Sequence, residues 1–122
     1  MLPSILAKIE MIIRTDFQIS EEDLKKLIDI LSGYHKDMWI YPGVLKRKTS
    51  ILIQQVNSIL YRLSKEGYLN LFYELRCGNC QNRFGFLYEV INSIPYDFEC
   101  EYCHSKQLGI ENAYMIYKVN CS

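Results

Sequence analysis

Two short cysteine motifs constrain this chain more than any other feature. Cys77-Gly78-Asn79-Cys80 and Cys100-Glu101-Tyr102-Cys103 are separated by nineteen residues, a spacing that suits a four-cysteine metal site. Each CxxC turn presents two thiolates from one knuckle, and two knuckles complete a tetrahedron at about 2.3 Å per metal–sulfur bond. Four soft thiolates with no open position fit Zn²⁺ held for structure, not catalysis. Cys77, Cys80, Cys100 and Cys103 are therefore the expected metal ligands.

Two alternatives use the same residues. A disulfide framework requires an oxidising compartment. The start of the chain, Met1 to Gln18, argues against one: Lys8, Glu10 and Arg14 interrupt any signal-peptide core, and no small-residue cleavage site follows. The expected location is cytoplasmic. Iron in a rubredoxin-like site is the other alternative. Five cysteines leave Cys121 as a spare thiol, and His104, next to the second knuckle, is a substitute ligand, a cap on the knuckle or an exposed side chain.

The bulk numbers describe a globular protein of one domain or two very small ones. The 122 residues are 49% hydrophobic and 23% charged, with no run long enough to span a membrane, so no membrane partner is expected. Fourteen basic and fourteen acidic side chains cancel, which excludes a globally basic nucleic-acid coat but not a local basic face. Residues 1–70 carry ten basic and eight acidic groups, and residues 71–122 carry four and six. Within 36–65, Lys36, Lys46, Arg47, Lys48, Arg62 and Lys65 meet only Asp37, a local +5.

Periodicity divides the chain into an α part and a β part. Ile5, Leu6, Ile9, Ile12 and Ile13 predict a helix over 4–14 behind Pro3. Its stripe is either a dimer contact or part of the chain's own core. Ser20-Glu21-Glu22-Asp23 is close to a capping box and opens a helix over 20–32, with Leu24, Leu27, Ile28 and Leu31 on one face and Gly33 as the stop. A short helix is expected over 42–48. Leu52, Ile53, Val56, Ile59, Leu60 and Leu63 give a further helix over 52–66, with Gln54, Gln55, Ser58, Tyr61, Arg62 and Lys65 opposite and Gly67 at its end. The period then changes to two, predicting a strand over 68–76 that runs into Cys77. Phe84, Phe86, Tyr88 and Val90 alternate in a second strand, Asn112 to Val119 give a last strand, and a further hairpin is expected from 96–99 and 105–119.

Ser50, Val56, Leu60, Leu63 and Gly67-Tyr68-Leu69 follow the pattern S-x5-V-x3-L-x2-L-x3-G-Y-L, which resembles a winged helix-turn-helix over about residues 18–76. The resemblance implies that 20–32, 42–48 and 52–66 are its three helices and that the third enters a DNA major groove. On that reading Gln54 and Gln55 bond adenine edges, Arg62 reaches guanine or phosphate, and Lys46, Arg47 and Lys48 grip the backbone, with Ser58 and Lys65 on the same face. The chain departs from the family in its wing, where a cysteine knuckle stands at the expected hairpin tip. The expected fold is thus α+β: a winged-helix-like module over 1–76, then a small antiparallel four-cysteine zinc ribbon over 77–119 that continues the wing. This domain order is similar to that of archaeal transcription factor E.

Three functions compete for these parts. The first is a DNA-binding transcriptional regulator that reads double-stranded DNA with its third helix. The second is a non-enzymatic adaptor that uses both modules for protein contacts in a larger transcription or defence complex, through the N-terminal helix or the ribbon tip. Asp97, Glu99 and Glu101 there repel phosphate, while Tyr96, Phe98 and Tyr102 suit a protein interface or cover the metal thiolates. The third is a thiolate-based redox or metal sensor. An enzyme is not expected, because His35 and His104 are the only histidines and no Gly-rich phosphate loop is present.

Overall fold

A computed structural model describes residues 1–121. It is a mixed α+β chain with four helices: α1 (Pro3–Asp16), α2 (Glu21–Ser32), α3 (Pro42–Lys48) and α4 (Ile53–Lys65). Six strands accompany them: β1 (Trp39–Ile40), β2 (Leu69–Arg76), β3 (Arg83–Tyr88), β4 (Asp97–Glu99), β5 (Lys106–Leu108) and β6 (Ala113–Val119). One sheet has the order β1-β6-β2-β3, and β4 and β5 form a second, two-stranded sheet. The pairs β1–β6, β2–β3 and β4–β5 are antiparallel. None of the helices in the described residues is long and apolar enough to cross a membrane.

The chain divides into two compact units, with the division falling inside β2 and β6. The first comprises residues 1–70 and the end of the chain from Tyr117; the second is Leu71–Ile116. In the first unit, local signals place the helices. Proline sits in the first turn of α1 and of α3, where its missing N–H costs nothing. Ser20 caps α2 by accepting from the Asp23 N–H at 3.1 Å. At the end of α4, Gly67 takes φ +87°, its N–H donates to the Ser64 carbonyl at 3.1 Å, and the Tyr68 N–H donates to the Leu63 carbonyl at 3.1 Å. That pair of bonds is a Schellman motif, and it explains why glycine stands there. Gly33 closes α2 in a right-handed conformation, so no left-handed turn is needed at that stop.

The apolar stripes meet inside this unit. Ile9 and Ile13 of α1, Leu24, Leu27 and Leu31 of α2, Leu45 of α3 and Val56, Ile59, Leu60 and Leu63 of α4 are all buried. Each contributes about 2 kcal/mol by leaving water. The stripe on α1 therefore goes largely into the chain's own core. Leu52 departs from its expected place: it is the N-cap of α4, in extended conformation, and is 70% exposed. Helical spacing does not govern a residue outside the helix.

The second unit has a much thinner core. Its buried aliphatic side chains are Leu75, Ile94 and Ile116, accompanied by the sulfurs of Cys77 and Cys100. Glu74, on the side of β2 that reads as polar, is also buried; its carboxylate accepts from Arg76 Nε at 2.9 Å and lies 3.6 Å from Arg83 Nε. The Arg76 guanidinium stacks on Tyr114 at 4.4 Å. The expected alternation through Phe84, Phe86 and Val90 does not bury a face. Between the pairs Glu74↔Leu87 and Arg76↔Arg83 the register slips, and Gly85 sits in that bulge at φ +75°. Phe84 packs edge-on against Phe98 with ring centroids 5.2 Å apart, while Phe86 is left 65% exposed on an edge strand.

The last strand expected over 112–119 is β6, but the return side of the hairpin expected over 105–119 is not continuous, since β5 stands apart from it. A 3-10 turn over Ile110–Asn112 divides β5 from β6, with Gly109 in a right-handed helical conformation just before it. Gly109 is buried against the chain opposite, where a Cβ would collide with the Pro95 carbonyl oxygen. No other residue fits at that crossing.

Candidate metal centre

The two CxxC turns fold as near copies of each other. The Sγ of the first cysteine accepts from two backbone N–H groups of its own turn: Asn79 and Cys80 at 3.3 and 3.2 Å on Cys77, Tyr102 and Cys103 at 3.4 Å each on Cys100. The carbonyl of that cysteine accepts from Gln81 N–H at 3.0 Å in one knuckle and from His104 N–H at 2.8 Å in the other. Its own N–H donates to the carbonyl of Asn82 or Ser105, at 2.9 and 3.0 Å. Gln81 and His104 hold matching left-handed conformations, φ 65° and 62°. His104 is exposed and takes no place among the four sulfurs.

The knuckles face each other. All four Sγ atoms lie within 4.8 Å of one another, with Cys77–Cys103 at 3.5 Å and Cys80–Cys100 at 3.6 Å. A tetrahedron with metal–sulfur bonds of about 2.3 Å has edges of ~3.8 Å, and the spacings of these two pairs suit it. A disulfide holds its sulfurs at about 2.05 Å, and all five cysteines are free. Four cysteines close together fit a metal ion such as zinc.

Side chains from beside each knuckle, and one that reaches from the second knuckle to the first, hold this cage. Gln107 spans it: Nε2 donates to Cys77 Sγ at 2.9 Å and to Ser105 Oγ at 2.6 Å, and Oε1 accepts from the Gly78 N–H at 2.6 Å. A Cβ on Gly78 would come within 3.0 Å of that oxygen and 2.5 Å of Asn112 Oδ1, so any larger residue would displace the ends of these two side chains. Asn82 Nδ2 donates to Cys80 Sγ at 3.2 Å, and Ser105 Oγ lies 3.2 Å from Cys103 Sγ. Such donors neutralise thiolate charge and orient the ligands. Burial alone raises the Cys77 thiol, but the donors from Cys80, Gln107, Asn79 and Ser105 bring it below the ordinary range. Burial prevails at Cys100, whose thiol is raised. Cys103 is lowered, first by the Ser105 hydroxyl. None of Gly78, Asn82, Ser105 and Gln107 carries a sequence signal beyond nearness to a knuckle.

The left-handed positions give a prediction. Gln81→Gly together with His104→Gly relieves two strained backbones and should stabilise Leu71–Ile116 by about 0.5–1 kcal/mol each. A thermal melt of the metal-loaded chain checks this; a lower midpoint would contradict it.

The residues expected to meet DNA lie elsewhere, on α3 and α4. Lys46, Arg47 and Lys48 form the last turn of α3 and are all exposed, as are Gln54, Ser58 and Lys65 on α4. The Lys65 ammonium sits 5.1 Å from the Tyr61 ring. Three of these side chains already have hydrogen-bond or ionic partners. Ser58 Oγ donates to the Gln54 carbonyl at 3.0 Å, Gln55 Nε2 donates to the Gln18 carbonyl at 3.1 Å, and Arg62 binds Asp16 at 3.0 Å and also Glu66. Both carboxylates lie outside the 36–65 window, so the positive charge in space is smaller than the count along the chain. Asp37 is matched not within the window but with Lys118, at 3.8 Å.

Compared with protein-family models, with curated proteins and with solved structures, the chain matches none of them.

Proposed function

We propose that the chain is a zinc-stabilised DNA-binding regulator of winged-helix type. In this reading α2, α3 and α4 are the three helices, α4 enters the major groove of double-stranded DNA, and β2 begins a wing whose far end is a four-cysteine zinc ribbon. The observation that carries it is the surface of α3 and α4. Lys46, Arg47 and Lys48 stand exposed at the end of one helix, and Gln54, Ser58 and Lys65 stand exposed along the next, after a link of four residues, 49–52. Cations there bind phosphate and set the position; amide and hydroxyl groups on α4 bond base edges. Asp23 Oδ1 fixes that link by accepting from the Ser50 N–H at 3.1 Å. Bound zinc supplies folding energy and rigidity, and no reaction is assigned to it.

A second reading, a non-enzymatic adaptor in a larger assembly, draws on a different observation. Gln55 and Arg62 are engaged within the chain, which removes two of the expected DNA contacts. A mobility-shift titration of a labelled duplex at two salt concentrations separates the readings. Binding that falls steeply as salt rises supports the regulator. No binding at low salt, with a protein partner recovered stoichiometrically in a pull-down, supports the adaptor.

A further inference from the structure

We infer that the second unit carries a docking face for a cationic, apolar-anchored protein segment, at the end of the β4–β5 hairpin away from the knuckle that joins those two strands. This goes beyond the DNA reading and does not depend on it. The face is built around a cleft of about 430 Å³ lined by Asp97, Lys106, Gln107, Leu108, Glu111 and Asn112. Tyr96 and Ile110, next in sequence to lining residues, are 82% and 63% exposed. They are brought together by the backbone, since the Gly109 N–H donates to the Tyr96 carbonyl at 2.9 Å and Asp97 pairs with Leu108.

The cleft is held in shape before any partner arrives. Asn112 Nδ2 donates to the Leu108 carbonyl at 2.8 Å, Gly109 is wedged against Pro95, and Gln107 is tied to Gly78 and Cys77. Preorganised walls reduce the ordering cost of binding. Charge selects the occupant. Arg76 and Arg83 both turn to Glu74, which leaves Lys106 as the remaining cation among the described residues of this unit. Against it stand Asp97 and Glu111 in the cleft itself, and Glu89, Glu99 and Glu101 elsewhere in the same unit. Such a surface repels nucleic acid and anionic lipid and attracts lysine or arginine. Exposed Tyr96, Leu108 and Ile110 supply the apolar contact that a purely ionic encounter lacks.

The test uses the full, metal-loaded chain and three short labelled peptides of alternating Lys–Leu, Lys–Ser and Glu–Leu. Fluorescence anisotropy should show Lys–Leu bound and the other two not, and chemical-shift mapping on the wild-type chain should place the contact at residues 96–97 and 106–112. Tyr96→Ser, a change at a side chain in solvent, and Asp97→Lys with Glu111→Lys should each weaken Lys–Leu by about tenfold. Equal binding of Lys–Leu and Lys–Ser would overturn the proposal, as would shifts confined to other residues. Light scattering on the same samples tests for a second copy as the occupant; self-association abolished by Tyr96→Ser would also overturn it.

Discussion

Stripping the purified chain with a strong chelator will unfold Leu71–Ile116 while the helical unit keeps its fold. The reason is the contrast between their cores. Four helices bury leucine, isoleucine and valine side chains against one another, whereas the second unit buries Leu75, Ile94 and Ile116 and otherwise relies on its sulfurs. So thin a core does not offset the entropy of ordering its chain. A structural zinc contributes on the order of 10 kcal/mol to folding, and a folded cage has no counterpart in the unfolded chain. Dispersed amide resonances from 71–116 should collapse on chelation and return on adding Zn²⁺. Replacing Cys77, Cys80, Cys100 or Cys103 by serine should have the same effect as the chelator. Retained dispersion in a chain that elemental analysis finds free of metal would contradict this.

Replacing Lys46, Arg47 and Lys48 together with alanine will weaken binding to any duplex, whatever its sequence. All three are exposed in the last turn of α3, so their loss leaves no buried charge and no cavity. Each phosphate contact removed flattens the plot of log affinity against log salt by about one unit, so the triple variant should flatten it by about three. Gln54→Ala should instead reduce discrimination between sequences and leave that slope alone, because an amide reads a base edge and releases no counterion. A slope unchanged in the triple variant would place the DNA contacts elsewhere.

The helices were legible because their evidence is local. The apolar spacing in α2 and α4, the Ser20 cap and the Gly67 stop each involve residues within one or two turns. The knuckles were legible for the same reason, since a CxxC turn defines its own geometry. What sequence did not disclose is non-local. Gln107 reaches Cys77 across 30 positions, and Arg62 finds Asp16 across 46. A bulge at Gly85 breaks the alternation on which the reading of β3 depended, and Glu74 is buried because two arginines come to it. Polar burial of that kind leaves no periodic trace.

On the proposed function, the metal serves the fold and the exposed surface of α3 and α4 serves recognition. Titrating the ¹⁵N-labelled, zinc-loaded chain with a DNA duplex at low salt separates these roles residue by residue. Shifts are expected at residues 46–48 and at 54, 58 and 65, with 96–112 unmoved. An absence of shifts, or shifts gathered in 71–116, would contradict the assignment.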